Sequence, residues 1–181
     1  MVNYSVLMSV YHKENPVWLE QAIQSMMDQT IRTNDFVIVC DGPLTPDLNE
    51  VIERFERNYP GIFQIIRRNK NYGLGLSLGY GISFCKNELI ARMDSDDISK
   101  VNRCELELDM FDKDSSLDIV GCWENEFEND INTPIAVHKV PSGKENVKSF
   151  MRRRCALLHP TVIFKKSSVL KCGNYHDVRL F

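Results

Sequence analysis

Met93-Asp94-Ser95-Asp96-Asp97 packs three carboxylates into four positions directly after the apolar run Leu89-Ile90-Ala91. Carboxylates this close raise one another's pKa unless a cation or solvent relieves them, so a divalent metal is the natural partner. Hard oxygen donors favour magnesium or manganese. Two carboxylates separated by one residue at a strand end can put one group on the metal and leave the other for a ligand hydroxyl, with the metal facing a diphosphate. The same residues also suit a solvated turn that caps the next helix, where Asp and Ser are favoured.

Asp41 ends another apolar run and precedes Gly42 and Pro43. A carboxylate there can accept a hydrogen bond from a base N–H, although Asp-Gly-Pro is also an ordinary turn. Ser9, Val10 and Tyr11 end the first run in the same manner. Residues 71–81 are rich in glycine, and a glycine-rich turn after a strand can cradle a dinucleotide pyrophosphate. Against a nicotinamide site stand the G-x-G-x-x-x-G spacing, its place after the third strand candidate, and three downstream carboxylates where one would suffice. His159-Pro160-Thr161 sets an imidazole before the last strand candidate, where it can ligate a metal, donate to a phosphate, or serve as a hydrogen-bonded structural group. Arg152-Arg153-Arg154 suits a solvated helix end favoured by the helix dipole, or a contact for anionic headgroups or phosphate.

These groups need elements that bring them together. Strands are expected at 4–10, 35–40, 63–67 and 89–93, alternating with helical patterns, which means βαβ units. Asn15 then Pro16 opens the first helix, with Trp18, Leu19, Ala22, Ile23 and Met26 at helical spacing. Thr45 then Pro46 opens the second, with Leu48, Val51, Ile52 and Phe55 on one stripe, and it should end before Pro60-Gly61. Val37-Ile38-Val39 is apolar on both faces, so the sheet should be parallel, covered on both sides, and should bind ligands at its carboxyl edge. Beyond Asp97 the regular alternation is lost. A helix is expected at about 101–112, strands at 118–123 and 135–140, a hairpin or loop at 124–133, a basic helix near 144–154, and a short strand at 161–164.

The 181 residues, 43% hydrophobic and 26% charged, suit one globular domain with a real core. A net charge of -3 offers no basic face, which argues against nucleic acid as a partner. Cys40, Cys85, Cys104, Cys122, Cys155 and Cys172 lack a C-x-x-C pair and sit mostly in apolar runs, which suits buried reduced thiols and neither zinc nor disulfides. No stretch is apolar enough to span a bilayer, and Met1-Val2-Asn3-Tyr4 does not open a signal segment, so a cytoplasmic protein is expected.

Taken in order, 4–11, Asp41-Gly42, Asn71-Tyr72-Gly73, Met93-Asp94-Ser95-Asp96-Asp97 and His159-Pro160-Thr161 resemble the family 2 inverting glycosyltransferases. Lys13-Glu14-Asn15-Pro16, Cys40-Asp41-Gly42-Pro43 and 89–94 look like the branch that builds bacterial exopolysaccharide, capsule or lipopolysaccharide. The resemblance implies an α/β GT-A fold, Rossmann-like, with a mostly parallel central sheet flanked by helices. Residues 1–97 would be the nucleotide-binding half and 98–181 the start of the acceptor side. It implies Asp96 as metal ligand, Asp94 at the ribose or sugar and at the metal, and Asp97 in support or as a second metal contact, holding Mn2+ or Mg2+. Ser9, Val10, Tyr11, Asp41, Asn71, Gly73, Ser95 and His159 would line the nucleotide-sugar site, with Asp41 recognising the base.

The implied donor is a UDP-sugar, whose anomeric carbon an acceptor hydroxyl attacks with inversion, in line with departing UDP. The implied acceptor is a saccharide, undecaprenyl-diphosphate-linked in this branch, which would bring the full-length enzyme to the inner face of the plasma membrane. The family's catalytic base follows a segment resembling 173–181, so the base is expected beyond Phe181, and Asp177 matches the preceding turn. A chain without the base would bind donor and metal but transfer sugar poorly. Cys40 stands where relatives carry an aspartate, and Gly79 where an asparagine is common. Two other functions fit metal carboxylates on an α/β sheet or the bare fold: a nucleotidyltransferase, although Ser9-Val10-Tyr11-His12-Lys13 lacks that class's glycine-rich loop, and a non-catalytic nucleotide-binding module.

Overall fold

A computed structural model describes residues 3–128 and 130–177. Met1-Val2, Asn129 within the expected 124–133 hairpin, and the end of the 173–181 motif from Val178 to Phe181 lie outside the described residues. Four strands, β1 (Tyr4–Val10), β2 (Asp35–Cys40), β3 (Phe63–Arg67) and β4 (Leu89–Arg92), run parallel. Two short strands, β5 (Ile119–Val120) and β8 (Ile163–Lys165), complete a sheet of order β3-β2-β1-β4-β8-β5, with β8 antiparallel to both neighbours. This is the expected α/β architecture with a mostly parallel central sheet.

Helices α1 (Pro16–Met27) and α2 (Pro46–Asn58) form where the caps predict. Asn15 Oδ1 accepts the Val17 N–H at 2.8 Å, and Thr45 Oγ1 accepts that of Leu48 at 3.4 Å, each satisfying a donor that the first helical turn leaves free. Leu19, Ala22, Ile23 and Met26 of α1 and Leu48, Val51, Ile52 and Phe55 of α2 are buried against one face of the sheet. Trp18, expected on that stripe, is instead 54% exposed, one position off the buried arc. The opposite face of the sheet carries Leu7, Val37, Val39 and Ile90, packed on Leu78, Ile82 and Phe164. Every residue of β2 is buried, the two-sided burial that its unbroken apolar run implies.

Residues 74–81 form helix α3 (Leu74–Gly81) where a glycine-rich turn is the alternative. Its glycines are there for close packing. A Cβ on Gly81 would sit 2.6 Å from Leu7 Cδ1 and 2.7 Å from Val39 Cγ2, on the side facing the sheet. On another side a Cβ on Gly75 would lie 2.3 Å from the His176 carbonyl oxygen, and one on Gly79 3.3 Å from that of Tyr175. The segment 174–176 thus crosses α3 over two bare positions one turn apart, and Asn174 Nδ2 donates to the Gly79 carbonyl at 3.0 Å. A side chain at Gly79 would crowd the main chain that lies over it.

The second half is more irregular than its pattern predicts. Helix α4 (Arg103–Lys113) starts two residues later than expected, and the 118–123 strand shrinks to β5. A separate hairpin of β6 (Glu124–Glu126) and β7 (Ala136–His138) occupies the expected hairpin and much of the 135–140 strand. Helix α5 (Lys144–Phe150) stops before Arg152-Arg153-Arg154, all exposed, and α6 (Lys166–Lys171) follows β8. Cys40, Cys85 and Cys104 are buried free thiols, but Cys122 is half-buried and Cys155 and Cys172 are exposed, since their segments sit at the surface.

Gly81→Ala tests the close approach of α3 to the sheet. Overpacking costs about 1–3 kcal/mol, more than the roughly 1 kcal/mol that alanine gains in helix propensity. Urea unfolding should show a lower midpoint with an unchanged slope; an unchanged or raised midpoint contradicts the packing role.

Candidate metal and nucleotide site

Parallel pairing delivers the ends of β1 to β4 to one edge, where Tyr11, Asp41, Arg68 and Asp94 follow. β1 separates β2 from β4, so Asp41 and Asp94 flank its end, two strand spacings of roughly 4.8 Å apart sideways. Ser9, half-buried, pairs with Val39 and lies two residues past Leu7, the partner of Arg92, just as Asp94 lies two past Arg92. Val10 is buried and Tyr11 is 39% exposed, its ring edge-on to His12. The carboxylate cluster and Asp41 therefore open onto one edge.

Asp94, Asp96 and Asp97 each offer a carboxylate oxygen within 4.8 Å of the others. This is an all-oxygen donor set of the kind that suits Mg2+ or Mn2+, so the residues present fit such an ion. Burial, then Asp94 and Asp96, pushes the Asp97 carboxyl up to about 6. A fourth carboxylate, Glu14, joins from the turn before α1. It accepts a hydrogen bond from Ser95 Oγ, and burial outweighs that bond, with Asp96 and Asp94 adding to the upward push on its pKa. The Ser95 hydroxyl is thereby used within the protein.

Asp41 is 3% exposed and receives the backbone N–H groups of Tyr72 at 2.8 Å and Gly73 at 2.9 Å, one on each oxygen. Its carboxylate organises the 71–73 turn directly, and a base N–H would use lone pairs left over from those bonds. Asn71 Oδ1 accepts the same Gly73 N–H at 3.1 Å. Gly42, at φ +92°, is needed because a Cβ there would stand 2.9 Å from the Asn71 nitrogen. Arg68 lies 3.9 Å from Asp41, covers the Tyr72 ring at 3.8 Å, and donates to Ser77 Oγ at 2.8 Å.

His159 lies on a short 3-10 turn, with Nε2 2.8 Å from the Tyr175 hydroxyl. Burial, with Arg92 adding, lowers the imidazole pKa to about 4, so it is neutral where most enzymes work. Arg103, the first residue of α4, donates through Nη2 to the Arg92 carbonyl at 2.9 Å and through Nη1 to the Pro160 carbonyl at 3.1 Å. One guanidinium thus ties the acidic segment and the His159 turn to the same helix. Beyond Asp97 a mostly apolar cavity of about 260 Å³ opens between Met93, Arg103, Glu107, Trp123 and Thr161.

Among the described residues, the structure brings Asp94, Asp96, Asp97 and Ser95 together, with Ser9, Val10 and Tyr11 on the neighbouring strand end and Asn71 and Gly73 gathered by Asp41. Sequence reasoning missed Glu14, Arg68, Arg92 and Arg103 as site groups. Glu14 and Arg68 follow β1 and β3 at the carboxyl edge, which is the signal that could have found them. Arg92, a charge inside an apolar run, was visible as an anomaly; Arg103 was not, since only folding brings it to β4.

The His159 pKa gives a signed pH dependence. Its folded value of about 4 lies below the ordinary 6.5, so its contribution to stability is fully present above pH 6.5 and is lost as pH falls through about 4. His159→Gln should flatten that part of the stability profile by on the order of 2 kcal/mol relative to the parent chain, read by urea unfolding across this window. Parallel profiles would contradict the buried neutral imidazole.

Comparisons with known proteins bear on the fold and the family. An Escherichia coli relative, UDP-Gal:alpha-D-GlcNAc-diphosphoundecaprenol beta-1,3-galactosyltransferase, is 35% identical over 98% of this chain, which spans 64% of that protein's length. S. aureus TarS 1-349, solved in complex with UDP-GlcNAc, superposes with a TM-score of 0.72 at 18% identity, over 96% of this chain and 48% of TarS 1-349. A mannosyltransferase from Pyrobaculum calidifontis, solved with GDP-Man and Mn2+, gives 0.71 at 13% identity, over 97% of this chain and 48% of its own. The model of glycosyl transferase family 2 matches residues 5–173, and the chain belongs to that family.

Proposed function

We propose that this chain binds the diphosphate of a nucleotide-sugar, a UDP-hexose, together with Mn2+ or Mg2+, as the donor half of a glycosyltransferase. The observation that carries the proposal is the triad Asp94, Asp96 and Asp97, with ligand atoms within 4.8 Å, at the same sheet edge as Asp41. Asp96, Asp94 and Asp97 would hold the ion, whose chemistry is to neutralise charge growing on the departing diphosphate. Asp41, with Ser9, Val10, Tyr11, Asn71 and Gly73 around it, would face the nucleoside. Ser95 and His159 would flank the sugar end, with Ser95 acting through its bond to Glu14.

The reaction of the whole enzyme would be attack by an acceptor hydroxyl on the anomeric carbon, inverting it as the bond to the phosphate oxygen breaks and UDP leaves, with the hydroxyl proton passing to a base. The E. coli relative's name gives a UDP-Gal donor and a GlcNAc-diphosphoundecaprenol acceptor. By that kinship the acceptor here is a lipid-linked saccharide of surface polysaccharide biosynthesis, met at the inner face of the plasma membrane. Among the described residues no helix is long and apolar enough to cross a membrane.

Calorimetry with UDP, run with and without Mn2+, tests the donor site. UDP should bind with the metal present, and Asp96→Ala should weaken that binding at least tenfold, about 1.4 kcal/mol or more. Metal-independent binding of NAD, or no binding of UDP under either condition, would refute the proposal.

A further inference from the structure

Arg92 ends β4 on the face that carries Ile90, and its side chain is 1% exposed. Nη2 donates to Asp94, and Nε and Nη1 find no acceptor among the described residues. The ionisable groups that feel this charge include His159, Tyr175, Asp94 and Asp97. Burial keeps His159 neutral and pushes the Tyr175 phenol up to about 12, so neither supplies a negative charge. Asp97 belongs to the same acidic cluster as Asp94. Asp94 is therefore both the hydrogen-bonded counterion of a buried guanidinium and one of three carboxylates suited to a divalent cation.

Those two roles compete. Drawing Asp94 fully to a cation strips a buried guanidinium of its partner, which is strongly unfavourable unless another anion arrives. We propose that Arg92 couples the binding of cation and anion at this site: a divalent cation gains Asp94 when a diphosphate replaces that carboxylate on Arg92. Arg92 is thus a positioning residue that makes metal and nucleotide bind synergistically. The inference rests on the donor-site proposal above. Coupling of this kind is reciprocal, so each ligand raises the affinity of the other by the same factor.

The test measures Mn2+ affinity of the whole chain with and without saturating UDP, in the parent and in Arg92→Gln. The expected result is tighter binding of Mn2+ alone in the variant, because Asp94 is released, with a coupling factor reduced on the order of tenfold. Arg92→Lys, which keeps the charge, should keep most of the coupling. A purely structural role, or a charge acting on each ligand independently, would leave the coupling factor unchanged, and that outcome overturns the inference while leaving the donor site standing. Absence of UDP binding in the parent chain would overturn both. Should Arg92→Gln fail to fold, Asp94→Ala with inorganic pyrophosphate and no metal serves as the second probe. Freeing Nη2 should tighten pyrophosphate binding several-fold, and unchanged or weaker binding overturns the inference.

Discussion

Three carboxylates held within 4.8 Å of one another repel, and the rest of the structure is arranged around that repulsion. The strand that delivers them is held in place, because β4 is paired on both sides and Arg103 grips its last carbonyl from α4. Arg92 offsets part of the charge through Asp94, while Glu14 adds to it from the first loop. Fixing like charges in this way is the physical basis of the cation site proposed above.

The fold serves this edge by two kinds of contact. Apolar packing of α1, α2 and α4 on one face and α3 on the other makes the sheet a rigid plate, so the strand ends keep their spacing. Polar contacts then shape the loops. Asp41 collects two amides to form the 71–73 turn, and Arg103 joins the acidic segment to the His159 turn. The 174–176 crossing over Gly75 and Gly79 brings Tyr175 to His159, close to Arg92. The glycine-rich helix thus bears on the site through packing, at positions where a nucleotide-binding loop was the alternative.

Much of the first half was legible because its signals are local. Asn15-Pro16 and Thr45-Pro46 mark helix starts by capping chemistry, and the run 35–40 marks a strand buried on both faces. The acidic cluster was legible because its crowding lies within one short segment. After Asp97 the strands are two or three residues long and paired non-locally, so β5 and β8 leave little periodicity to detect. The ion pair at Arg92 and the bonds from Arg103 depend on the tertiary approach of β4, α4 and the 159–161 turn, which no spacing in the chain encodes.

Anomalous diffraction from crystals of the chain grown with Mn2+ and UDP measures the central claim most directly. The account predicts a single strong manganese peak in coordination distance of Asp96 and Asp94 or Asp97, with the diphosphate on the ion and the uracil beside Asp41. A manganese peak elsewhere, or UDP bound away from the carboxyl edge of β1, β2 and β4, would contradict it.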